Sequence, residues 1–478
     1  MSCEITNGFI EYFSCQIGTT VPALKLLLTI FAGYPLALIH RKYVYGKEAN
    51  LQHLYFIFTG FALGYWNYGN EMFHNVLATF FTFCVLSVLQ GTATSVAITF
   101  VFNLTYLLIG YIYSSTDGYD INWTLPQCIL VLRLIAISFD LYDGKQPEET
   151  LSAENKKVAL KELPSILELY GHSLFPTSFL VGPQFSMRRY LDFVEGKFSK
   201  DGAAPDSTNA AVKRFCIGAF YLSIFHVLGY FVSDEYLLSE EFASLGFFRR
   251  MLVMGVWGRF TLYKYISCWL LTEGACMLFG MSHNGTDETT GEIKWNGVEN
   301  IKLAVFENTT EFNHYIQSFN VNTNHWVAQY IYKRLKFLNN RHVSQLAALL
   351  FLAVWHGFHS GYYVCFFFEF IVIYMERDIK SIVGKNETLS SIFYSEQAKI
   401  PLQIALRLYT FVFMGWCLIP FGLLQFGRYW RGFSNCSWVG AILFCLWPVA
   451  WSPLLRMALK KLNGAGRRSD SKTEAQTQ

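Results

Sequence analysis

Windows of roughly 20 residues with few or no charges recur along this chain, and that is the length a helix needs to cross the hydrocarbon of a bilayer. They contain the runs Leu26 to Ile39, Leu77 to Leu89, Val96 to Tyr113, Leu346 to Trp355 and Val439 to Trp451. Counting such windows predicts an all-α, polytopic integral membrane protein with about eleven transmembrane helices. Composition agrees, because 53% of the 478 residues are hydrophobic and only 15% are charged, more apolar than a soluble core of this chain length needs. Two further stretches, Glu162 to Met187 and Asn320 to Arg334, are interrupted by charges or by Pro and Gly, the pattern of segments that line a cavity.

Orientation follows from the flanking charges. Residues 1 to 20 contain Glu4 and Glu11 but no Lys or Arg, so they lack the positive region of a cleavable signal peptide. The first span is followed by Arg41, Lys42 and Lys47 and the last by Lys460, Lys461, Arg467 and Arg468, which assigns both flanks to the cytosol. The expected organisation is a luminal segment 1–20, one membrane domain 21–460 and a polar, disordered cytosolic tail 461–478. The polar stretches Asp143 to Glu162, Asp192 to Lys213 and Ser282 to His314 separate blocks of spans, and none is long enough for a soluble core of its own. No internal repeat is visible, which weighs against a transporter built from inverted halves. The eleven cysteines are scattered, without a CxxC pair, and read as small core residues instead of disulfides or zinc ligands. A net charge of +3 is too small to argue for a nucleic-acid partner, and no basic block is long enough to change that.

Polar chemistry meets the membrane in FNVNTNHWVAQYIYKRLKFL, from Phe319, and in LLFLAVWHGFHSGYY, from Leu349. His356 closes an apolar helix pattern within WHG, where a titratable side chain is costly unless it is paired or functional. A lone membrane histidine is more often a helix-to-helix hydrogen-bond partner, as His226 illustrates, and context favours His356. Asn320 opens a polar turn that ends at Trp326. Acyl transfer from a thioester to an alcohol needs a base for the hydroxyl proton and a dipole for the acceptor or the oxyanion, and a neutral His with an Asn supplies both. His356 and His359 form HxxH, yet there is no HExxH and no third ligand nearby, so metal is set aside. There is no GxSxG elbow, and nothing marks Cys365 as activated. Lys333, Arg334 and Lys336 form a basic cluster that topology alone explains, and that also suits the phosphates of coenzyme A. Arg259, Lys264 and Glu273 sit in an apolar aromatic stretch as cavity wall or internal ion pair.

Together these residues resemble the membrane-bound O-acyltransferase (MBOAT) family, whose hallmark is an Asn in an N-x5-W turn followed by a His near a helix end; here they are Asn320 to Trp326 and Trp355-His356-Gly357. The chain is most similar to the type-3 lysophosphatidylcholine acyltransferase branch, through GYPLALIHR at Gly33, GYDINWTLPQC at Gly118, FLVGPQFSM at Phe179 and LYKYISCWLLTEG at Leu262. The resemblance covers roughly the first four-fifths of the sequence. It implies an internal catalytic chamber with His356 as general base and Asn320 as its partner. It also implies residence in the endoplasmic reticulum membrane, cytosolic entry of acyl-CoA as co-substrate with no cofactor, and a preference for polyunsaturated chains. The expected acceptor is the sn-2 hydroxyl of lysophosphatidylcholine, with lysophosphatidylethanolamine and lysophosphatidylserine as related acceptors, and a homodimer is a further expectation. Family members often end in a dilysine retrieval signal, whereas this tail reads EAQTQ. The alternatives are an acyltransferase for a sterol, a diacylglycerol or a protein, and a transporter in which His356 lines a pathway.

Overall fold

Helices dominate the structure, a computed structural model that describes residues 8–199 and 203–461. Among the described residues the only β-type pairings are isolated bridges, Thr286 with Ile293 and Ile301 with Phe319. Among the described residues, six helical stretches have both the length and the apolar composition to cross a membrane: Val21–Val44, Ala49–Leu89, Ala93–Ser114, Thr124–Asp143, Thr208–Phe231 and Glu396–Leu423. Other helices of the expected set miss these criteria for visible reasons. Arg341–His356 has only 16 residues, and Phe247–Phe279 carries Arg249, Arg250, Arg259, Lys264 and Glu273. Ala49–Leu89 consists of two helices joined by a 3-10 turn at Gly69–Met72.

The chain divides into two compact units interleaved in sequence. The first comprises Met1–Val227, Leu262–Phe306 and Ile316–Phe358. Its central helix, Thr124–Asp143, has buried side chains on every face, from Ile129 and Leu132 to Arg133 and Asp140, as expected of a helix enclosed by protein. The Ala93–Ser114 helix instead exposes Val101, Ile109 and Ile112, a lipid-facing stripe. Aromatic rings fill a core of the unit in which Phe56, Phe193 and Phe279 pack on His40, and Phe175 and Tyr190 pack on Phe56. Gly60 lets the Ala49–Tyr68 helix lie directly on the Leu174 carbonyl, where a Cβ would collide.

The interrupted stretch from Glu162 to Met187 is not a span. It forms a short helix, Ile166–Ser173, opened by a capping box of Ser165 and Glu168, and then an irregular segment. Arg133, fully buried, holds that segment: its guanidinium donates to the carbonyls of His172 (2.5 Å), Ser173 (3.3 Å) and Pro183 (3.5 Å), to Ser178 Oγ (2.7 Å) and to Gln184 Oε1 (3.3 Å). Irregular backbone in a membrane protein needs such internal partners.

The second unit comprises Leu228–Thr261, Glu307–Tyr315 and His359–Gln478. Its main helices are Ser360–Gly384 and Glu396–Leu423, packed around the fully buried Trp416. Phe426–Asn435 follows as an amphipathic helix that buries Tyr429 and Phe433 and points Arg428 and Arg431 at Glu235 and Glu240.

One cysteine departs from the expected pattern. Among the described residues nine are free, but Cys15, on the Phe9–Ile17 helix, is disulfide-bonded. The expected polar tail lies outside the described residues except for Lys461, as does Glu4.

Candidate active site

All five site residues named from the sequence, Asn320, Lys333, Arg334, Lys336 and His356, belong to the first unit. His356 is the last residue of the Arg341–His356 helix, which stops there because Gly357 adopts φ 121° and ψ −162°, a backbone region essentially confined to glycine. The helix end is tied down by its neighbours. Trp355 donates its indole N–H to the Cys128 carbonyl (2.9 Å), and the Trp355 carbonyl accepts from the Tyr111 hydroxyl (3.0 Å). The His356 imidazole packs edge-on to the Trp355 ring, with centroids 4.7 Å apart, and is half-buried. The helix breaks at Gly357, and His359 is the N-cap of the next helix.

Asn320 caps the short helix Val321–Val327 in a left-handed conformation, φ 49° and ψ 47°, which Asn tolerates better than other side-chain-bearing residues. Three asparagines stand in this turn with different duties. Asn322 Nδ2 donates to the carbonyls of Val298 (3.2 Å) and Glu299 (3.1 Å), and Asn324 Nδ2 donates to those of Ile316 (3.0 Å) and Phe319 (2.9 Å). Both are consumed in holding the turn. The Asn320 carboxamide makes no hydrogen bond among the described residues and is only partly buried. It is the amide left for something else.

The interrupted stretch from Asn320 to Arg334 runs alongside the C-terminal half of Thr124–Asp143. Trp326 donates its indole N–H to the Leu132 carbonyl (2.9 Å), Tyr330 its hydroxyl to Asp140 Oδ1 (2.7 Å), and Arg334 forms a two-pronged pair with Asp143 (2.8 and 2.5 Å). After Val327 the backbone widens into a π turn, Ala328–Tyr332, and then tightens into a 3-10 turn, Lys333–Leu338. The three basic residues thus differ. The Arg334 guanidinium is neutralised by the buried Asp143 and stacks on the Phe139 ring at 4.8 Å, so it is a packing element. Lys333 pairs with the partly exposed Glu154, whose carboxyl is held below its usual range chiefly by that hydrogen bond. Lys336 is exposed and has no ion pair among the described residues.

The charges in the aromatic stretch do not pair with one another. Glu273 meets Arg214, Lys264 lies over the rings of Tyr119 (4.6 Å) and Tyr265 (4.8 Å), and Arg259 meets Glu307 at 3.5 Å. Sequence reasoning passed over Tyr111 and Asn300, which hold the His356 and Asn320 segments. Tyr111 carries no local signal, and Asn300 stands in a polar stretch rich in similar residues.

Comparison with known proteins bears on this arrangement. Residues 108–395 match the model of MBOAT, the membrane-bound O-acyltransferase family. A Drosophila melanogaster protein named lysophospholipid acyltransferase 5 is 43% identical over 480 residues, 98% of this chain and 95% of the relative. The human protein of that name is 41% identical over 445 residues, 92% of this chain and 91% of the relative. The Caenorhabditis elegans one is 35% identical over 455 residues, 94% and 96% of the two chains.

Proposed function

Since this chain belongs to the membrane-bound O-acyltransferase family, we propose that it transfers a fatty acyl group from acyl-CoA to the sn-2 hydroxyl of a lysophospholipid, with His356 as general base and Asn320 as the dipole that orients the acceptor or the oxyanion. The observation that carries the site reading is the division of labour in the Asn320 turn: two amides are spent on the backbone, and the third, on the residue the motif marks, is left unengaged.

The chemistry balances without a cofactor. The neutral His356 ring takes the hydroxyl proton as the oxygen attacks the thioester carbonyl; the new C–O bond forms, and a tetrahedral oxyanion develops within reach of an amide N–H. Collapse breaks the C–S bond, and the imidazolium returns its proton to the departing CoA thiolate. The products are a diacyl phospholipid and free CoA. Burial of the site in the bilayer limits water's access to the thioester and so suppresses hydrolysis.

Lys336, with Lys333 once released from Glu154, receives the phosphates of CoA; Arg334 contributes by holding the segment that carries them. Lysophosphatidylcholine is the preferred acceptor in this reading, polyunsaturated chains the preferred donors and the endoplasmic reticulum the compartment. The test is CoA release by purified protein given lysophosphatidylcholine and arachidonoyl-CoA. Wild type should turn over, and His356→Ala of equal abundance and fold should lose about 10²-fold or more. Retention of most activity by His356→Ala removes it as base, and a wild type silent with every lysophospholipid overturns the acceptor assignment.

A further inference from the structure

Glu273 has no exposed side-chain surface, and the acyl-transfer scheme does not use it. Its carboxylate is heavily engaged. Oε1 accepts the backbone N–H of Asn300 (2.7 Å) and of Ile301 (3.0 Å), and Oε2 accepts from Arg214 Nε (2.7 Å). Arg214 also donates to the Ile301 carbonyl (2.8 Å), so Ile301 is gripped at both its N–H and its C=O.

What that grip serves is visible one residue earlier. Asn300, only 2% exposed, gives both of its acceptors to the residues that follow Asn320: its carbonyl takes the Val321 N–H (3.0 Å), and its Oδ1 takes the Asn322 N–H (3.1 Å). Its neighbours pair with the residues on the other side, since Ile301 bridges Phe319 and the Lys302 N–H meets the Ser318 carbonyl at 2.9 Å. The Asn320 turn lies between the helices Phe312–Ser318 and Val321–Val327 and is paired on both sides of Asn320 with residues 300–302. It hangs on a short extended segment whose own anchor is Glu273.

We infer that Glu273, paired with Arg214 and acting through Asn300, is a positioning residue that holds Asn320 in its left-handed conformation with the carboxamide presented to substrate. The inference rests on the acyl-transfer reading above. A left-handed residue and a buried carboxylate are both costly on their own. Here the hydrogen bonds to the carboxylate offset its burial, and the amides that Asn300 holds fix the backbone just after Asn320. Misplacement of a catalytic group by about 1 Å can cost on the order of 10²-fold in rate, so loss of the anchor reads out in turnover before it reads out in binding.

The experiment compares wild type with Glu273→Ala and Glu273→Gln, at matched abundance and monodispersity, by steady-state kinetics and by backbone amide exchange over residues 319–325. Gln keeps an oxygen for the Asn300 and Ile301 amides, and Ala removes it. The expected result is a kcat fall of roughly tenfold or more in Glu273→Ala with both KM values within about twofold, faster exchange over 319–325, and substantial recovery of both readouts in Glu273→Gln. Wild-type kcat in Glu273→Ala, or a loss shared equally by kcat, KM and the Gln variant with unchanged exchange, overturns the inference. Should Glu273→Ala fail to accumulate as folded protein, Asn300→Ala leaves the ion pair in place and cuts only the side-chain link to Asn322; it carries the same kinetic expectation, and unchanged kcat there overturns the inference as well. A wild type inactive with every lysophospholipid defeats the acyl-transfer reading, whereas the exchange result still decides whether Glu273 orders the turn.

Discussion

Trp326 and Trp355 donate their indole N–H groups to the carbonyls of Leu132 and Cys128, four residues apart on one helix. Carbonyls at that spacing lie on the same helix face, about 6 Å apart along the axis. The Asn320 turn and the His356 helix end are therefore latched to one row of the Thr124–Asp143 helix. Each latch is the tryptophan of its own motif: Trp326 closes the polar turn and Trp355 precedes the histidine. The tryptophans explain how residues 36 positions apart are held to a common support.

Replacing either tryptophan by Phe keeps most of the ring and deletes the donor. The carbonyls it leaves are inside a helix and keep their own ladder partners, so the stability cost should stay near that of a single hydrogen bond, about 1 kcal/mol. Turnover should suffer more than stability, because the latch sets the position of a reacting group. Thermal midpoint and kcat measured on the same preparations of Trp355→Phe check this; a variant with full kcat shows that the ring alone does the positioning.

Much of this site was legible in sequence because its signals are local. N-x5-W and WHG are short strings, and a charged or imidazole group at the end of an apolar run is conspicuous wherever it lies. The partners were not legible. Asp143 is 191 residues from Arg334, and Leu132 is 194 residues from Trp326, so the basic cluster read as three equivalent cations when the fold makes one of them a packing element. Length and apolar composition alone pick out six of the described helical stretches, because helices such as Arg341–His356 and Phe247–Phe279 are short or charged and are stabilised by protein neighbours. The disulfide at Cys15 left no trace because scattered cysteines without a regular spacing do not reveal a pairing.

Gly357→Ala should damage the site without removing any reacting group. At φ 121° and ψ −162° a Cβ costs about 1–3 kcal/mol, and the relaxed backbone re-aims His356. The expected outcome is a lowered thermal midpoint together with a kcat loss well beyond what the stability change explains at a temperature where the variant is folded. Wild-type kcat in the folded variant would show that the helix end has slack.

Asn320→Gly separates chemistry from conformation. Glycine enters the left-handed region without steric cost, so the turn should form as well as in wild type, whereas Asn320→Ala adds strain of about 1 kcal/mol. Both lack the carboxamide, and both should lose on the order of 10²-fold in kcat if the amide stabilises charge in the transition state. The thermal midpoint should fall only for Ala. Near-normal turnover by the Gly variant would leave the amide without a catalytic role.

The basic residues should split in opposite directions when each is changed to Ala. Arg334→Ala strands the buried Asp143 carboxylate, a loss of about 3 kcal/mol or more, and should show first as poor folding or a depressed thermal midpoint. Lys336→Ala touches no partner among the described residues, so stability should stay within about 0.5 kcal/mol while the KM for acyl-CoA rises and that for lysophospholipid does not. Lys333→Ala falls between the two, since its partner Glu154 is partly exposed and rehydrates once freed. Acyl-CoA and lysophospholipid titrations on Lys336→Ala decide the matter: a KM shift confined to acyl-CoA supports the phosphate contact, and unchanged kinetics return the cluster to a purely topological role, positive charge that keeps its loop in the cytosol.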